Sequence, residues 1–328
     1  MQMRQGLHRR ACVLGLLMAG AGSRVRASGV PVVGFLRSTP AAPFAHLEDA
    51  FRQGLAEGGF VAGQSVTVVS RYADNVPARL PVLAAELLRE PVTLIVANSQ
   101  AAEAARLLTR SVPIVFVTSD DPVARGLVQS LGRPGDNLTG ITFFGGGQLS
   151  GKRVDFLREL LPGMKKLGML LDPSWPAASL DRSEVLDIAG QRGMAVTLAE
   201  ASTDPDLEPA LQRLRNDGAE GLIVGGCPFF TSRRAVLTRA LMTLRLPAIF
   251  DVRDFVDGGG LMSYGASLAG AWVEAGLYAA RILKGATPAV MPVTRPSQLE
   301  LVLNQSTARM LGLSIPSALL ARADTLVE

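Results

Sequence analysis

The stretch VPVVGFLRSTPAAPFAHLEDAFRQGL, residues 30–55, joins an apolar run to a segment with apolar residues at helical spacing. The run VPVVGFL (30–36) alternates little between polar and apolar residues, which is typical of a strand buried on both faces of a parallel sheet. The residues that follow predict a helix whose apolar face carries Phe44, Leu47, Phe51 and Leu55. A buried strand followed by an amphipathic helix is the building unit of α/β folds, so this stretch predicts that fold class.

The same unit recurs in two series along the chain. The first series continues with apolar runs at 65–72, 93–98 and 112–117, and the second series has runs at 166–172, 195–201, 221–226 and 246–251. Strands of similar sequence occupy similar places in both series, as TLIVAN (93–98) and GLIVGG (221–226) show. We therefore predict two similar Rossmann-like α/β lobes in tandem, with one large α/β sheet as the alternative.

Breaks rich in glycine and proline predict where the chain passes between the lobes. Gly145-Gly146-Gly147 separates the two series, and the segments GGGLMSYG (258–265) and 288–296 flank a long predicted helix. We expect this helix to lie on the first lobe and the strand LELVLN (299–304) to lie on the second, which makes three crossings. The predicted first lobe comprises residues 28–144 and 266–290, and the second comprises residues 145–265 and 291–328. Several connections permit hinge bending but prevent free tumbling of the lobes.

Residues 1–27 have the pattern of a secretory signal peptide. Basic residues precede the twelve-residue apolar stretch 11–22, and the small-x-small pattern Val25-Arg26-Ala27 predicts cleavage near Ala27. The apolar stretch is shorter than the roughly 20 residues that a membrane-spanning helix needs. Cleavage would remove five arginines and no acid, so the net charge of +4 would become +4 − 5 = −1. We therefore expect a periplasmic protein with no nucleic-acid partner, exported by the Sec or the twin-arginine route.

The mature chain would keep one histidine, His46, and one cysteine, Cys227. A Ser-His-Asp triad would have to use His46, and a zinc site would need carboxylates or Cys227 to make up the ligand count. We interpret His46 as an ordinary residue of a predicted helix. The first strand is not followed by G-x-G-x-x-G, and neither Gly145-Gly146-Gly147 nor Gly258-Gly259-Gly260 ends in G-K-[ST], so both glycine runs are interpreted as flexible breaks. These features predict a protein without a metal, a cofactor or catalytic residues.

Candidate binding residues come directly after the predicted strands, because ligands of open α/β sheets bind outside the carboxyl ends of the strands. In the first series the residues after the strands are Arg37-Ser38-Thr39, Asn98-Ser99-Gln100 and Ser119-Asp120. The candidates chosen from them are Ser38, Asn98, Ser99, Gln100, Ser119 and Asp120. Ser38, Ser99 and Ser119 each precede or begin a predicted helix, where free backbone N–H groups favour an anion such as a carboxylate. The alternative is that these serines are ordinary helix N-caps.

In the second series the candidates are Trp175, Phe229, Asp251 and Tyr264. Asp251 closes a predicted strand and is the acid best placed to meet an ammonium group, unless it caps a short helix that starts near Arg253. Trp175 and Phe229 could stack on a flat ligand, or they could fill the core. Tyr264 falls in a predicted crossing, where hinge packing is the alternative role.

Several longer segments are specific enough to indicate a family. They are VVGFLRSTP (32–40), FFTSRR (229–234), GGLMSYGASL (259–268), LELVLNQSTARMLGLSIP (299–316) and, most specific of all, DPVARGLVQSLGRPGDNLTG (121–140). With these segments the chain resembles the ABC transporter substrate-binding family typified by the tryptophan/tyrosine-type binding proteins. The likeness covers essentially all of residues 30–328.

The resemblance implies a class I periplasmic-binding-protein fold, in which two lobes close on a ligand. It implies that Ser38, Asn98, Ser99, Ser119 and Asp120 line the first-lobe side of the site, and that Phe229 and Asp251 line the second. Asp251 matches the position that holds the amino group of the ligand in better-characterised relatives. The segment NSQ (98–100) departs from the small residues expected there, so the ligand need not be tryptophan or tyrosine.

These observations predict a monomeric binding protein of an ABC importer, which captures a small polar, amino-acid-like molecule and delivers it to a permease in the inner membrane. Binding without turnover is expected, because the phosphate-binding loops and the histidines of common enzyme classes are missing. An α/β enzyme that uses the same cleft and a ligand-sensing receptor stay open as alternatives.

Overall fold

The computed structural model describes residues 29–143, 148–296 and 299–328. The predicted signal peptide at 1–27 and the glycine run at 145–147 lie outside these described residues. No helix within the described ranges is both long enough and apolar enough to cross a bilayer.

The first half of the chain forms a five-stranded parallel sheet of order β2-β1-β3-β4-β5. Its strands are β1 (Val32–Arg37), β2 (Thr67–Tyr72), β3 (Val92–Asn98), β4 (Ile114–Thr118) and β5 (Leu138–Thr142). The first four correspond to predicted strands. β5 was not predicted, because its sequence LTGIT contains two threonines and a glycine, yet all five residues are buried. A Cβ atom at Gly140 would lie 2.1 Å from the carbonyl oxygen of Phe116, so only glycine lets β5 approach β4.

Three helices follow strands of this sheet: α1 (Ala45–Glu57), α2 (Leu80–Arg89) and α3 (Ser99–Leu108). Short 3-10 helices at Ala42–Phe44 and Pro77–Arg79 precede α1 and α2. The sheet is covered on both faces, since Phe35 of β1 packs in one buried apolar cluster and its neighbour Leu36 packs in another. This double burial explains why the strands are apolar at nearly every position.

The second half forms a separate seven-stranded sheet of order β12-β11-β10-β9-β8-β6-β7. Its strands are β6 (Lys166–Leu171), β7 (Ala195–Glu200), β8 (Gly221–Val224), β9 (Ala248–Phe250), β10 (Met262–Ala266), β11 (Leu299–Asn304) and β12 (Thr325–Val327). Among the described strands of this sheet, β10 and β11 pair in antiparallel fashion and the other neighbours pair in parallel. Two separate sheets exclude the alternative of one large sheet.

The helices of this half are α4 (Gln148–Leu160), α5 (Ala178–Gln191), α6 (Asp204–Asn216), α7 (Pro228–Ser232), α8 (Arg234–Thr243), α9 (Asp254–Asp257), α11 (Gln305–Met310) and α12 (Ser317–Leu320). The prediction that Gly258-Gly259-Gly260 is a break beside a crossing is wrong. These glycines form a tight turn between α9 and β10, in which the N–H of Gly260 donates to the carbonyl of Phe255 at 2.7 Å.

The long helix α10 (Leu268–Leu283) leaves the second sheet and packs on α1 of the first half. The contact is close because glycines face backbone on both sides: a Cβ atom at Gly54 would lie 1.9 Å from the carbonyl oxygen of Val273, and one at Gly276 would lie 2.3 Å from that of Phe51. After a 3-10 helix at Pro288–Val290 the chain returns to the second sheet as β11. The chain therefore passes between the sheets three times, as the sequence predicts.

Candidate ligand-binding site

A cavity lies between the two sheets, where the residues that follow their strands face each other. It has two adjoining parts, which share Ser119, Phe143, Trp175, Gly226, Asp251 and Val252 as lining residues. We call the first part the aromatic compartment, since its walls also include Phe44 and Trp272. We call the second part the acidic compartment, since it adds Asp181 and Glu184.

Half of the ten predicted site residues line this cavity. They are Asn98, Ser99, Ser119, Trp175 and Asp251. The other five, Ser38, Gln100, Asp120, Phe229 and Tyr264, lie outside its lining. The position of each of these five explains why.

Ser38 lies behind Asn98 and fixes its side chain. The backbone N–H of Ser38 donates to Asn98 Oδ1 at 2.9 Å, and Asn98 Nδ2 donates to Ser38 Oγ at 2.8 Å. Both residues are buried. This reciprocal pair determines which atoms of the Asn98 amide stay available, so Ser38 orients a lining residue without lining the cavity itself.

The predicted helix start is found at Ser99 but not at Ser119. Ser99 is the first residue of α3, with Asn98 as its N-cap. Turns, rather than a helix, lie between β4 and β5, so that prediction for Ser119 is wrong. Gln100 lies in the first turn of α3, half-buried and outside the cavity lining.

Asp120 is buried beside the wall of the cavity. Burial raises the pKa of its carboxyl to about 6, while the charge of Arg125 acts in the opposite direction. Neither carboxylate oxygen of Asp120 has a hydrogen-bond partner within the described residues.

Phe229 and Tyr264 belong to the core of the second half. Phe229 packs against the main apolar cluster, with its ring 5.5 Å from that of Phe230. Tyr264 is the middle residue of β10 and packs edge-on against Phe156, so its predicted place in a crossing is wrong. The chain leaves the sheet two residues later, after Ala266.

Asp251 follows β9 and lies where the two compartments meet. The alternative role as a helix cap does not apply, because α9 begins at Asp254 with Arg253 as its N-cap. Gly226 leaves room for the carboxylate, since a Cβ atom there would lie 2.4 Å from Asp251 Oδ2. Burial raises the pKa of the Asp251 carboxyl, and the charge of Arg153 opposes that shift. A cationic ligand group would also favour the ionised carboxylate.

The acidic compartment contains charged residues that sequence reasoning missed. Arg153 comes from α4, and its Nε donates to the carbonyl of Tyr264 at 2.8 Å. Asp181 and Glu184 come from α5, and burial raises the pKa of both carboxyls, that of Asp181 to about 7. These residues lie on helices instead of strand ends, so the rule that found Asp251 did not apply to them.

Arg37 directly follows the apolar part of β1 and is noted there in the sequence, but it was not among the ten predicted site residues. It is the last residue of that strand, is 4% exposed and lines the aromatic compartment. Its guanidinium carbon lies 4.8 Å from the ring centre of Phe44 and 4.6 Å from that of Trp272. The signal for it was available in the sequence, since it stands beside the predicted residue Ser38.

The two halves touch at the rim of the cavity. Arg234 Nη2 donates to the carbonyl of Pro43 at 2.8 Å, and His46 Nε2 lies 2.9 Å from Asp254 Oδ2. Each of these contacts joins a residue near α1 to one near α8 or α9. Contacts of this kind favour the arrangement in which the lobes approach each other.

The family is decided by comparison with known proteins. A family model described as "ABC transporter substrate binding protein" matches residues 42–327. The chain belongs to this family. The resemblance predicted from the sequence is thereby confirmed, and substrate binding is the property that defines the family. Within the described ranges, no group of three or more histidine, cysteine or acidic residues could hold a metal ion.

Individual relatives of this substrate-binding protein agree with the family match. The tyrosine-binding protein of Clostridioides difficile (strain R20291) is 25% identical over 270 residues, which cover 82% of this chain and 77% of that protein. A conserved domain protein from Vibrio cholerae has a TM-score of 0.83 at 24% identity, over 91% of this chain and 100% of that one. An ABC domain from Streptococcus pneumonia in complex with L-Trp has a TM-score of 0.83 at 21% identity, with the same coverage. The predicted two-lobed periplasmic-binding fold is confirmed.

Proposed function

We propose that this protein is the ligand-capturing component of an ABC importer and that its ligand is an amino acid or a similar molecule, bound between lobes that close on it. One observation carries the proposal: a cavity between the two sheets combines aromatic walls with a carboxylate, Asp251, where its compartments meet. An aromatic wall suits a flat apolar group, and the carboxylate suits an ammonium group. The tyrosine and tryptophan of the two relatives combine these groups.

The proposal also covers the boundaries of the two lobes that close on the ligand, and the export and partner of the protein. We infer lobes of 28–144 with 266–290 and of 145–265 with 291–328, which the packing of α10 on α1 and the pairing of β11 with β10 support. We further propose that residues 1–27 are removed near Ala27, that the mature protein is a periplasmic monomer, and that its closed form docks on a permease in the inner membrane. N-terminal sequencing and sedimentation analysis of the exported protein test these points.

A ligand screen tests the proposed function. The mature protein is heated with amino acids, aromatic acids, purines and sugars, and binding is followed as a rise in the melting temperature. A ligand at a hundredfold excess over its Kd stabilises the native state by about 2.7 kcal/mol. We expect aromatic amino acids to give the largest rise. Stabilisation by sugars or purines alone would contradict the amino-acid proposal, and catalytic consumption of a compound would contradict the transport proposal.

The role of Asp251 is tested by Asp251→Asn. Loss of a hydrogen bond to a charged group should weaken binding of an amino acid by about 1.5–3 kcal/mol. Because burial disfavours the Asp251 carboxylate, the same variant should unfold at a higher temperature than the wild type when no ligand is present. Calorimetry and thermal melts measure the two effects. The exposed Asp257, mutated to asparagine, is the control, and equal affinities of both variants would remove Asp251 from the site.

A further inference from the structure

Arg37 is a buried cation for which no acidic partner is in contact. Its side chain is enclosed at the end of β1, and the two acids whose charges act on it are Asp254 and Glu48. Glu48 accepts hydrogen bonds from Arg52, Ser70 and Tyr72. Asp254 Oδ2 lies 2.9 Å from His46 Nε2. Within the described part of the chain, no carboxylate oxygen lies within 4 Å of the Arg37 guanidinium. Burying an unpaired charge is unfavourable, so this arrangement calls for an anion.

The orientation of the guanidinium is set by its neighbours. The rings of Phe44 and Trp272 both lie within cation–π distance of its central carbon. Its Nε donates to Thr39 Oγ1 at 3.1 Å, while Nη1 is buried and has no hydrogen-bond partner. The group is therefore held in place while a donor stays unused. A planar group with parallel donors matches the two oxygens of a carboxylate.

Further polar groups surround the same part of the cavity. Asn98, Ser99 and Thr231 line the aromatic compartment together with Arg37. Thr231 comes from α7 in the second half, whereas Arg37, Asn98 and Ser99 come from the first. An anion bound at Arg37 would therefore lie within a wall that both halves build, with hydroxyl and amide groups beside it.

We infer that Arg37 binds the carboxylate of the ligand, and that carboxylic acids are consequently the substrate class of this protein. The inference rests on the proposed function, which places the ligand in this cavity. It assigns the two charged groups of an amino acid to opposite charges of the protein, with the carboxylate at Arg37 and the ammonium at Asp251. Burial lowers the pKa of Arg37 to about 10, so the guanidinium is protonated at neutral pH. A bound carboxylate would raise that pKa again.

The test compares ligands that differ by one charged group. L-Tyrosine carries both groups, tyramine lacks the carboxylate, and 3-(4-hydroxyphenyl)propionate lacks the ammonium. Calorimetry measures their Kd values for the wild type, Arg37→Gln and Arg37→Lys. Arg281→Gln is the matched control, because Arg281 also lies over an aromatic ring, that of Tyr278, but is exposed. Thermal melts without ligand report any general loss of stability.

The wild type should bind L-tyrosine roughly 10- to 100-fold more tightly than tyramine, since a hydrogen-bonded charge contributes about that much. Arg37→Gln should remove this preference, because it should weaken the binding of L-tyrosine and leave the Kd of tyramine unchanged. Arg37→Lys should restore part of it, and Arg281→Gln should leave it intact. If the role of Arg37 were purely structural, Arg37→Gln would weaken the binding of L-tyrosine and of tyramine equally.

The outcomes separate this inference from the proposed function. If 3-(4-hydroxyphenyl)propionate binds as tightly as L-tyrosine, and Arg37→Gln weakens its binding, the carboxylate site at Arg37 is supported and the amino-acid proposal is contradicted. If L-tyrosine and tyramine bind the wild type equally, or Arg37→Gln keeps the wild-type preference, the carboxylate site is overturned. Failure of both carboxylates to bind the wild type overturns it as well.

Discussion

Charged side chains in the cavity are close together without being paired one to one. Arg153 shares the acidic compartment with Asp181, Glu184 and Asp251, and burial raises the pKa of all three carboxyls. Within the described residues, none of these acids lies within 4 Å of Arg153 in an ion pair. The site therefore contains buried charges that are unfavourable for the folded protein, and a ligand with complementary groups would relieve this cost.

The pH dependence of stability tests this interpretation at Asp181. Burial raises its pKa from 3.8 to about 7, with Arg153, Glu184, Asp251 and Asp120 as the nearby charges. Between these two pH values the unfolded chain loses the proton while the folded protein keeps it, so the Asp181 contribution to stability falls as the pH rises through this range. Asp181→Asn removes this effect.

The variant Asp181→Asn should therefore melt at the wild-type temperature near pH 4 and at a higher temperature at pH 8. Thermal melts of the ligand-free protein at both pH values measure the difference. Asp187→Asn, at an exposed position of the same helix, is the control and should follow the wild type at both. If the melting temperatures of Asp181→Asn and the wild type differed by the same amount at both pH values, the pKa of the Asp181 carboxyl would not be raised by folding.

At the scale of elements, α10 is the helix that ties the returning chain to the first half. Its small residues allow its backbone to approach α1, and Trp272 and Tyr278 on the same helix are fully buried. Trp272 also stacks on Arg37 and lines the cavity. The packing of one helix pair thus determines the position of a wall of the site.

Gly276→Ala should disturb this helix pair, because the new Cβ atom would lie 2.3 Å from the carbonyl oxygen of Phe51 and 2.6 Å from the backbone nitrogen of Leu55. Overpacking of this kind destabilises a protein by about 1–3 kcal/mol. Urea unfolding followed by circular dichroism measures the change. Gly270→Ala is the control, because that exposed position on α10 has only the side chain of Ser267 nearby, at 3.3 Å. Equal stability of the two variants would mean that α1 and α10 separate without cost.

At the scale of the whole molecule, the halves meet through a few polar contacts around the cavity. Arg234 Nη2 donates to the carbonyl of Pro43, Asn75 Nδ2 donates to Ser232 Oγ at 3.1 Å, and His46 Nε2 lies 2.9 Å from Asp254 Oδ2. Few contacts with moderate energies are compatible with an equilibrium between open and closed forms. A ligand that touches both halves shifts that equilibrium towards closure.

Arg234→Ala should weaken ligand binding by destabilising the closed form. The loss of the bond to Pro43 costs about 0.5–1.5 kcal/mol, which raises the Kd by roughly two- to tenfold. Calorimetry measures the Kd, and small-angle X-ray scattering should show a larger radius of gyration for the ligand-free variant than for the wild type. Arg239→Ala, at an exposed position of the same helix, should change neither quantity. An unchanged Kd for Arg234→Ala would show that this contact does not favour closure.

The sequence by itself determined the two strand series, because strands buried on both faces must be apolar at nearly every position. The same pattern indicated Asn98, Ser99, Ser119, Trp175 and Asp251, since parallel strands all end at one edge of their sheet. Strands with threonine, glycine or few residues, such as β5, β10 and β12, lacked that signal.

Only the tertiary structure decided which of the candidates line the cavity and what completes it. Helix packing brings Arg153 and Asp181 into the same compartment as Asp251, although all three are far apart along the chain. No local sequence pattern encodes this proximity. Tyr264 could not be assigned from its neighbours, because the glycines around it belong to a turn and a strand pairing and not to a crossing. Arg37 follows directly on an apolar run and can be noted from the sequence. Only the structure shows that, within the described residues, no carboxylate oxygen lies within 4 Å of its buried guanidinium.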